Sequence, residues 1–385
     1  MKRKIILILI MLVSLDLLWA QEQQVKIETI FEKEFEEEII DVAFPSEEEI
    51  VASEKQGKFP HPRTVVFKNK IKFFDSEGNL LKEISLEKFG KPSEINPEIY
   101  PNFVTLLKSG KVLIDNRVSD YEHNLYFYDG EGNLLWTKMD IGNEPFVSGN
   151  EKYIVTGMKN FLVDGSEECV VFELSGVELF RRRFKWPWFV HSLSDDQLVI
   201  GEYSKISLFK VRGEKRWTIS DFDFLKSEYK VKTGRIDSNN VILVLTRNKE
   251  LFAFDENANL LWQQRKVPFT AIEIAPMQII CLLARADMMD YVYALDLKSG
   301  NRLWELNDIE DEEFDGIQVS TQSLFLLQRY GEWAPAKKKC MLLIDGKNGR
   351  VIKKIEDQND INGMFLGDYI LIKKKKALSI VKVTK

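Results

Sequence analysis

One short unit returns along the whole chain and limits what it can fold into. It reads strand, turn, Gly or Asn, then two apolar residues, often with Trp behind them. Two copies are clear: Phe73-Phe74-Asp75-Ser76-Glu77-Gly78-Asn79-Leu80-Leu81 and Tyr126-Phe127-Tyr128-Asp129-Gly130-Glu131-Gly132-Asn133-Leu134-Leu135-Trp136. Weaker copies run Val171 to Phe180, Leu208 to Trp217, Phe252 to Trp262, Val292 to Trp304 and Leu342 to Ile352. Self-similarity at a spacing of about 40–50 residues marks radial β-repeats. A chain of 385 residues then forms one closed repeat array, not two or three ordinary domains.

Each repeat divides into four antiparallel strands. In the sixth, Ala271 to Ala275 reads as the inner strand, Met277 to Arg285 as the second, Tyr291 to Leu297 as the third and Arg302 to Leu306 as the outer one. Pro276 and Lys298-Ser299-Gly300-Asn301 supply the turns. The inner strands are expected to be the most apolar, covered on both faces by neighbouring blades. Seven such units fit between residues 39 and 356. The tail offers three more strands, Ile361 to Leu366, Tyr369 to Lys373 and Ala377 to Val383, and the start offers one spare, Val25 to Phe35. Pairing that spare strand with residues 361–385 closes an eighth blade and removes an open sheet edge. The expected fold is an all-β, eight-bladed propeller over residues 21–385; seven blades is the alternative, with one terminal segment left over.

Trp136, Trp217, Trp262 and Trp304 have a structural place in this scheme. Each is expected on an outer strand, packed between adjacent sheets, where such a ring buries about 150–250 Å². The Gly or Asn before it serves the left-handed turn between the outer two strands.

Residues 1–20 read as an export signal: basic Lys2, Arg3 and Lys4, apolar Ile5 to Val13, and a small residue at Ala20 for cleavage. Asp16 interrupts the apolar run, short of the ~18 residues a membrane span needs. No Cys follows it to accept a lipid. The expectation is an exported protein, periplasmic or extracellular, with no transmembrane domain after cleavage. The chain carries a formal net charge of −6; removing three basic residues and one acid leaves −8. That sign argues against a nucleic-acid partner. Cys169, Cys281 and Cys340 each sit in an apolar run and read as small buried hydrophobes. A bridge between Cys281 and Cys340 is the alternative.

The run Ala294-Leu295-Asp296-Leu297-Lys298-Ser299-Gly300-Asn301-Arg302-Leu303-Trp304 resembles the repeat of the pyrroloquinoline-quinone (PQQ)-like propellers, with Ser299 in place of the family's Thr. Ala253, Asp255 and Trp262, and Asp129, Gly132 and Trp136, resemble shorter copies of it. The resemblance implies the blade. The superfamily holds quinoprotein dehydrogenases and also non-enzymatic scaffolds, such as the periplasmic lipoprotein of outer-membrane protein assembly. Its quinone enzymes commonly carry an adjacent Cys pair and a Glu/Asn/Asp calcium set. This chain has no adjacent Cys pair, so no PQQ or other cofactor is expected.

No other motif carries chemistry. His61, His123 and His191 lie far apart, without metal spacing; His61, in the loop Phe59-Pro60-His61-Pro62-Arg63, reads as solvated. No nucleophile elbow, phosphate loop or catalytic carboxylate pair is present. A different pattern does recur. A basic residue is expected at the end of the second strand of nearly every blade: Lys55, Arg117, Lys159, Lys205, Arg247, Arg285, Arg329 and Lys373. Loops between second and third strands share one face, so these residues would form a ring there. It reads either as an anion-binding rim or as bases paired with acids of adjacent blades, such as Glu250, Asp287 or Glu332; the second is the commoner fate of surface charge. The same face is expected to carry two long loops, Arg329-Tyr330-Gly331-Glu332-Trp333-Ala334-Pro335 and Lys185-Trp186-Pro187-Trp188-Phe189. Exposed Trp, Tyr and Arg suit an interface. The candidate binding residues are therefore Arg117, Arg247, Arg285, Arg329, Tyr330 and Trp333, and the partner a protein or an extended polymer, anionic if the ring takes part. The reading is a non-catalytic interaction module; the alternative is a PQQ-type quinoprotein oxidoreductase.

Overall fold

The computed structural model describes residues 26–384 apart from 90–101, 118–122, 142–144, 149–150, 162–165, 186, 193–196, 203–204, 221–229, 237–238, 246–249, 266–268, 276–277, 287–288, 307–313, 315, 329–338 and 358–360. The strands form eight four-stranded antiparallel sheets, arranged as an eight-bladed propeller. Blades 1 to 7 take their strands in chain order from residues 39–85, 102–141, 146–185, 187–220, 230–264, 269–306 and 316–357. Blade 8 runs Ile361–Leu366, Tyr369–Lys374 and Ala377–Thr384, and its outer strand is Lys26–Glu34 from the other end of the chain. Lys26 lies opposite Thr384, and Glu34 opposite Ala377. The closing strand is therefore the N-terminal one, as the missing fourth strand of the tail requires.

The hairpin between third and outer strands explains the repeat. In Asp75-x-x-Gly78-Asn79, Asp75 Oδ1 accepts from the backbone N–H of Glu77 and Asn79, while the Asn79 side chain donates to Oδ2. Asp129 with Asn133 and Asp255 with Asn259 repeat the same set of bonds. The residue before Asn turns left-handed, at φ 84° for Gly78 and Gly132. Blade 5 places Ala258 there at φ 69°, a conformation that disfavours a Cβ.

Directly after each of these turns the outer strand carries a one-residue bulge, in all of blades 1 to 7. Leu81, Leu135, Leu179, Arg216, Leu261, Leu303 and Ile352 are the residues skipped in the register. Blade 8 has its bulge at Ile30. A bulge twists an edge strand and spoils it as a template for a further strand. It also turns the apolar pair outward: Leu80, Leu81, Leu134 and Leu135 are each about half exposed.

The four outer-strand tryptophans are half-buried staples between blades. The indole N–H of Trp136 donates to the Leu174 carbonyl at 2.8 Å, Trp217 to Glu256 at 2.9 Å, Trp262 to Leu297 at 2.8 Å and Trp304 to Gly346 at 2.7 Å. Each acceptor lies in the corresponding turn of the next blade. For Trp136, Trp262 and Trp304 the left-handed glycine of that turn leaves room for the ring: a Cβ on Gly300 or Gly349 would stand 2.7 Å from the indole of Trp262 or Trp304. Further in, Thr64 donates to the Gly110 carbonyl, and buried Gln328 bonds both the N–H and the C=O of Gly363.

Burial peaks one strand further out than the sequence suggests. Second strands such as Thr64–Phe67 and Leu324–Gln328 are buried throughout, while innermost strands such as Gly316–Val319 and Ile361–Leu366 are partly exposed. The innermost strands border the central channel, whereas the second strands have a neighbouring sheet on each face. Cys169, Cys281 and Cys340 are free buried thiols, so the expected alternative of a Cys281–Cys340 bridge does not hold.

Candidate functional site

Two faces of the ring matter. On the face that carries the turns between second and third strands, the fold corrects one member of the basic series. Residues 47–56 are not a strand but an α-helix, α1, spanning Glu47–Gln56. Ser46 and Glu49 close a reciprocal capping box at its start, and Gly57 ends it at φ 64°. Lys55 therefore sits on a helix, within the connection between first and second strands, away from the expected ring. The true second strand of blade 1 is Thr64–Phe67, and the base that follows it is Lys68. Lys205 opens a third strand instead of ending a second; its register partner is Glu202.

Arg117 closes the second strand Val112–Arg117, opposite His123, and Arg285 lies in the second strand Ile279–Ala286, opposite Asp290. Lys159 lies opposite Glu168. Arg247, Arg329, Tyr330 and Trp333 fall outside the described residues, as do Asp287 and Glu332. The expected loop 185–189 is shorter than anticipated, because Pro187–Ser192 forms the innermost strand of blade 4.

Where blades 8 and 1 meet, the bases are paired. The acids come from the closing strand and from the link that joins it to blade 1. Lys70 meets Glu37 at 2.6 Å, Lys374 meets Glu32 at 3.5 Å and Lys375 meets Glu38 at 3.4 Å. Lys376 donates to the Glu36 carbonyl, and Lys373 to that of Ile40. The hydrogen bond from Lys70 holds the Glu37 carboxyl below its ordinary range. Intramolecular pairing thus describes this sector of the ring. Glu250, expected to neutralise a base of the ring, lies 3.7 Å from Arg265.

The opposite face carries α1, which sequence reasoning missed. Its signal was legible as Ser46-x-x-Glu49 followed by an apolar pair and a later Gly. Ile50 anchors the helix, fully buried among Val42, Phe44 and Tyr369. Glu54 accepts from the Tyr369 hydroxyl at 2.8 Å and from Lys382 at 2.8 Å, tying α1 to blade 8. Burial, and then the bond to Glu54, push the Tyr369 phenol up to about 12. A cleft of about 420 Å³ opens between the helix and blade 8, lined by Glu47, Val51, Glu54, Lys55, Asp368, Tyr369 and Lys382.

Two of the three histidines make contacts within the fold. His123, expected only as an isolated His, is buried with Asp115, its Nδ1 2.8 Å from Oδ1. His61 is half-buried, not freely solvated: it is packed beneath the Gly78 turn, with Nδ1 3.1 Å from Lys33 Nζ. Among the described residues no three His, Cys, Asp or Glu side chains converge as a metal site, and no helix is long and apolar enough to cross a membrane.

No family model matches the sequence, nor does any curated protein. Solved structures do match its fold. BamB from Moraxella catarrhalis superposes with a TM-score of 0.59 at 10% identity, over 93% of this chain and 100% of that one. The C-terminal WD40 domain of Sif2 gives 0.59 at 11% identity, over 93% and 99%. The quinohemoprotein alcohol dehydrogenase ADHIIG from Pseudomonas putida HK5 gives 0.53 at 10% identity, over 93% of this chain and 76% of that one. At such identities the likeness is one of architecture: this chain has the propeller fold that a PQQ-type dehydrogenase, a WD40 domain and BamB share.

Proposed function

We propose that this chain is an exported, non-catalytic interaction module that engages an acidic protein or extended polymer through the face carrying the turns between second and third strands. One observation carries the reading. Once Lys68 replaces Lys55, a basic residue stands at or within three residues of the end of the second strand in every one of the eight blades. Four of these are Arg, which suits bidentate contact with carboxylate or phosphate. Acids of the 32–38 segment neutralise the sector at blades 8 and 1, so the binding arc belongs to Arg117, Arg247, Arg285 and Arg329, with Tyr330 and Trp333 as its aromatic contacts. Likeness in fold to BamB and to a WD40 domain supports an interaction role, and the sequence supplies no adjacent Cys pair for a quinone.

The test reverses charge at Arg117 and Arg285 together and measures association with immobilised polyglutamate across a salt series. Steering by such a patch is screened within about 8 Å at physiological ionic strength, so the double variant should bind more weakly and with a flatter salt dependence. Binding equal to the parent's rejects the rim, and a drop in melting temperature with unchanged binding assigns the two arginines to internal pairing. The quinoprotein alternative rests on the likeness to the dehydrogenase. Dye reduction by an alcohol after loading with PQQ and calcium would establish it and reject the non-catalytic reading.

A further inference from the structure

The closing strand Lys26–Glu34 alternates its faces. Glu32 and Glu34 are exposed, while Phe31 and Lys33, followed by Phe35 just past the strand, are half-buried. The ammonium of Lys33 sits 5.6 Å from the ring centres of both Phe35 and Phe59. Phe31 meets Phe59 edge-on at 5.9 Å. The polar contact in this apolar seam is between Lys33 Nζ and His61 Nδ1, at 3.1 Å. It joins the outer strand of blade 8 to the connection between the first and second strands of blade 1, so it lies across the join where the ring is closed.

An ammonium has donors and no acceptor, so His61 Nδ1 must present its lone pair. The imidazole is then neutral, with its proton on Nε2. Protonating it would replace a hydrogen bond with two like charges at the same distance. The ring has little room to turn away, because the Gly78 turn covers it so closely that a Cβ on Gly78 would overlap the imidazole. The charged groups facing it are few. Lys33 comes from the closing strand and Asp75 from the hairpin turn of blade 1. Arg63, two residues along, is held by Glu49 of α1. Asp75 is committed to its own turn through Asn79 and Glu77.

We infer that Lys33 and His61 form an acid-sensitive latch on the closing strand: the strand is held while His61 is neutral and loosened when it takes up a proton.

Burial and then the Lys33 charge both push the His61 pKa down, and Asp75 opposes them only in part. With the docked ring below the free imidazole's value of about 6.5, the unfolded or undocked state binds the proton more tightly. The latch therefore contributes in full above about pH 6.5 and loses its contribution as pH falls from there through the lower value of the docked ring. Carboxylates that are paired in the fold titrate further down, near pH 4 and below, so the two windows are separable.

Two measurements on the full chain test this. The first is hydrogen-exchange protection of the amides of 26–34, corrected for the intrinsic exchange rate, at about pH 8 and about pH 5.5, on either side of the histidine value. In the parent, protection of these amides should fall about three- to tenfold, since each pH unit of differential protonation is worth a factor of ten. In His61→Gln, whose amide oxygen still accepts from Lys33 but does not titrate, protection should be level between the two conditions. The second is the titration of the His61 ring by nuclear magnetic resonance in the parent and in Lys33→Met, which keeps the apolar stem and removes the charge. The midpoint should rise toward about 6.5 in the variant. A pH-dependent loss that persists in His61→Gln overturns the latch. So does a His61 midpoint that Lys33→Met leaves unmoved, and this second readout stands even if the glutamine variant does not fold.

Discussion

The staple between Trp304 and the Gly349 turn gives a prediction that can be worked through in numbers. Trp304 is half-buried against the next blade, donates to the Gly346 carbonyl at 2.7 Å and meets Phe325 at 6.3 Å between ring centres. Half of a full aromatic burial, at about 25 cal/mol per Å², is worth about 2–3 kcal/mol. The indole hydrogen bond adds about 1 kcal/mol. Trp304→Ala should therefore cost about 3–4 kcal/mol, within the range for emptying a large aromatic site. Gly349→Ala meets two separate penalties. Its backbone sits at φ 75°, which costs a residue with a Cβ about 1–2 kcal/mol. The new methyl would also stand 2.7 Å from the indole, an overpacking worth about 1–3 kcal/mol. Removing the indole abolishes the second penalty and leaves the first. In a double-mutant cycle, the pair should be less destabilised than the sum of the single variants by about 1–3 kcal/mol. Urea unfolding followed by far-ultraviolet circular dichroism reads this without depending on the lost fluorophore. Losses that add to within about 0.5 kcal/mol would show that glycine and ring do not share the space, and the staple argument would fail with them.

Other outcomes follow from the same structure. Deleting residues through Phe35 leaves the edge of Ala377–Thr384 unpaired and should produce aggregation visible by light scattering; a monomeric, fully folded deletion variant would refute closure by the N-terminal strand. Ala258→Gly should raise the urea midpoint by the equivalent of about 0.5–1 kcal/mol, because the left-handed strain at that turn exceeds the entropy that glycine adds to the unfolded chain. The three thiols should resist a disulfide reagent in the native protein and react in urea. Burial pushes the Cys169 thiol up to about 12 and raises that of Cys281 as well, and the thiolate is the reacting form; rapid native labelling of any of them would contradict their burial.

The propeller was readable because its hairpin is chemically demanding. An Asp that accepts three hydrogen bonds, a left-handed residue and an Asn behind it leave a spelling that survives even where the aromatic residue is lost, as at Lys82 in blade 1. Closure was readable by subtraction, from three strands at one end and one at the other. The site was less legible. The segment 47–56 carries apolar residues at Ile50 and Val51 that suit a strand as well as a helix, and only the capping pair Ser46 and Glu49 decides between them. That misreading shifted blade 1's basic residue from Lys68 to Lys55. Strand periodicity also does not say which of two apolar strands is flanked by neighbouring sheets, so burial was assigned one position too far inward. The pairing of Lys374 with Glu32 and of Lys70 with Glu37 joins opposite ends of the chain or crosses between blades, and no local pattern announces such a contact.

The way blade 8 is assembled sets an order of events for a chain made from its N-terminus. The strand 26–34 is the first to exist and the last to find its partner, which is completed only at Thr384. Until then it is an unpaired β-strand exposed to everything around it, the kind of segment that sticks to others. Its sequence suits that wait. Glu28, Glu32 and Glu34, with Glu36, Glu37 and Glu38 just beyond, keep it charged and soluble while seven blades form. Two of those same acids, Glu32 and Glu38, then meet Lys374 and Lys375 of the closing hairpin. The ring can thus be sealed only by a chain that includes residues 377–384, and a product that stops short of residue 377 has no closed state to reach.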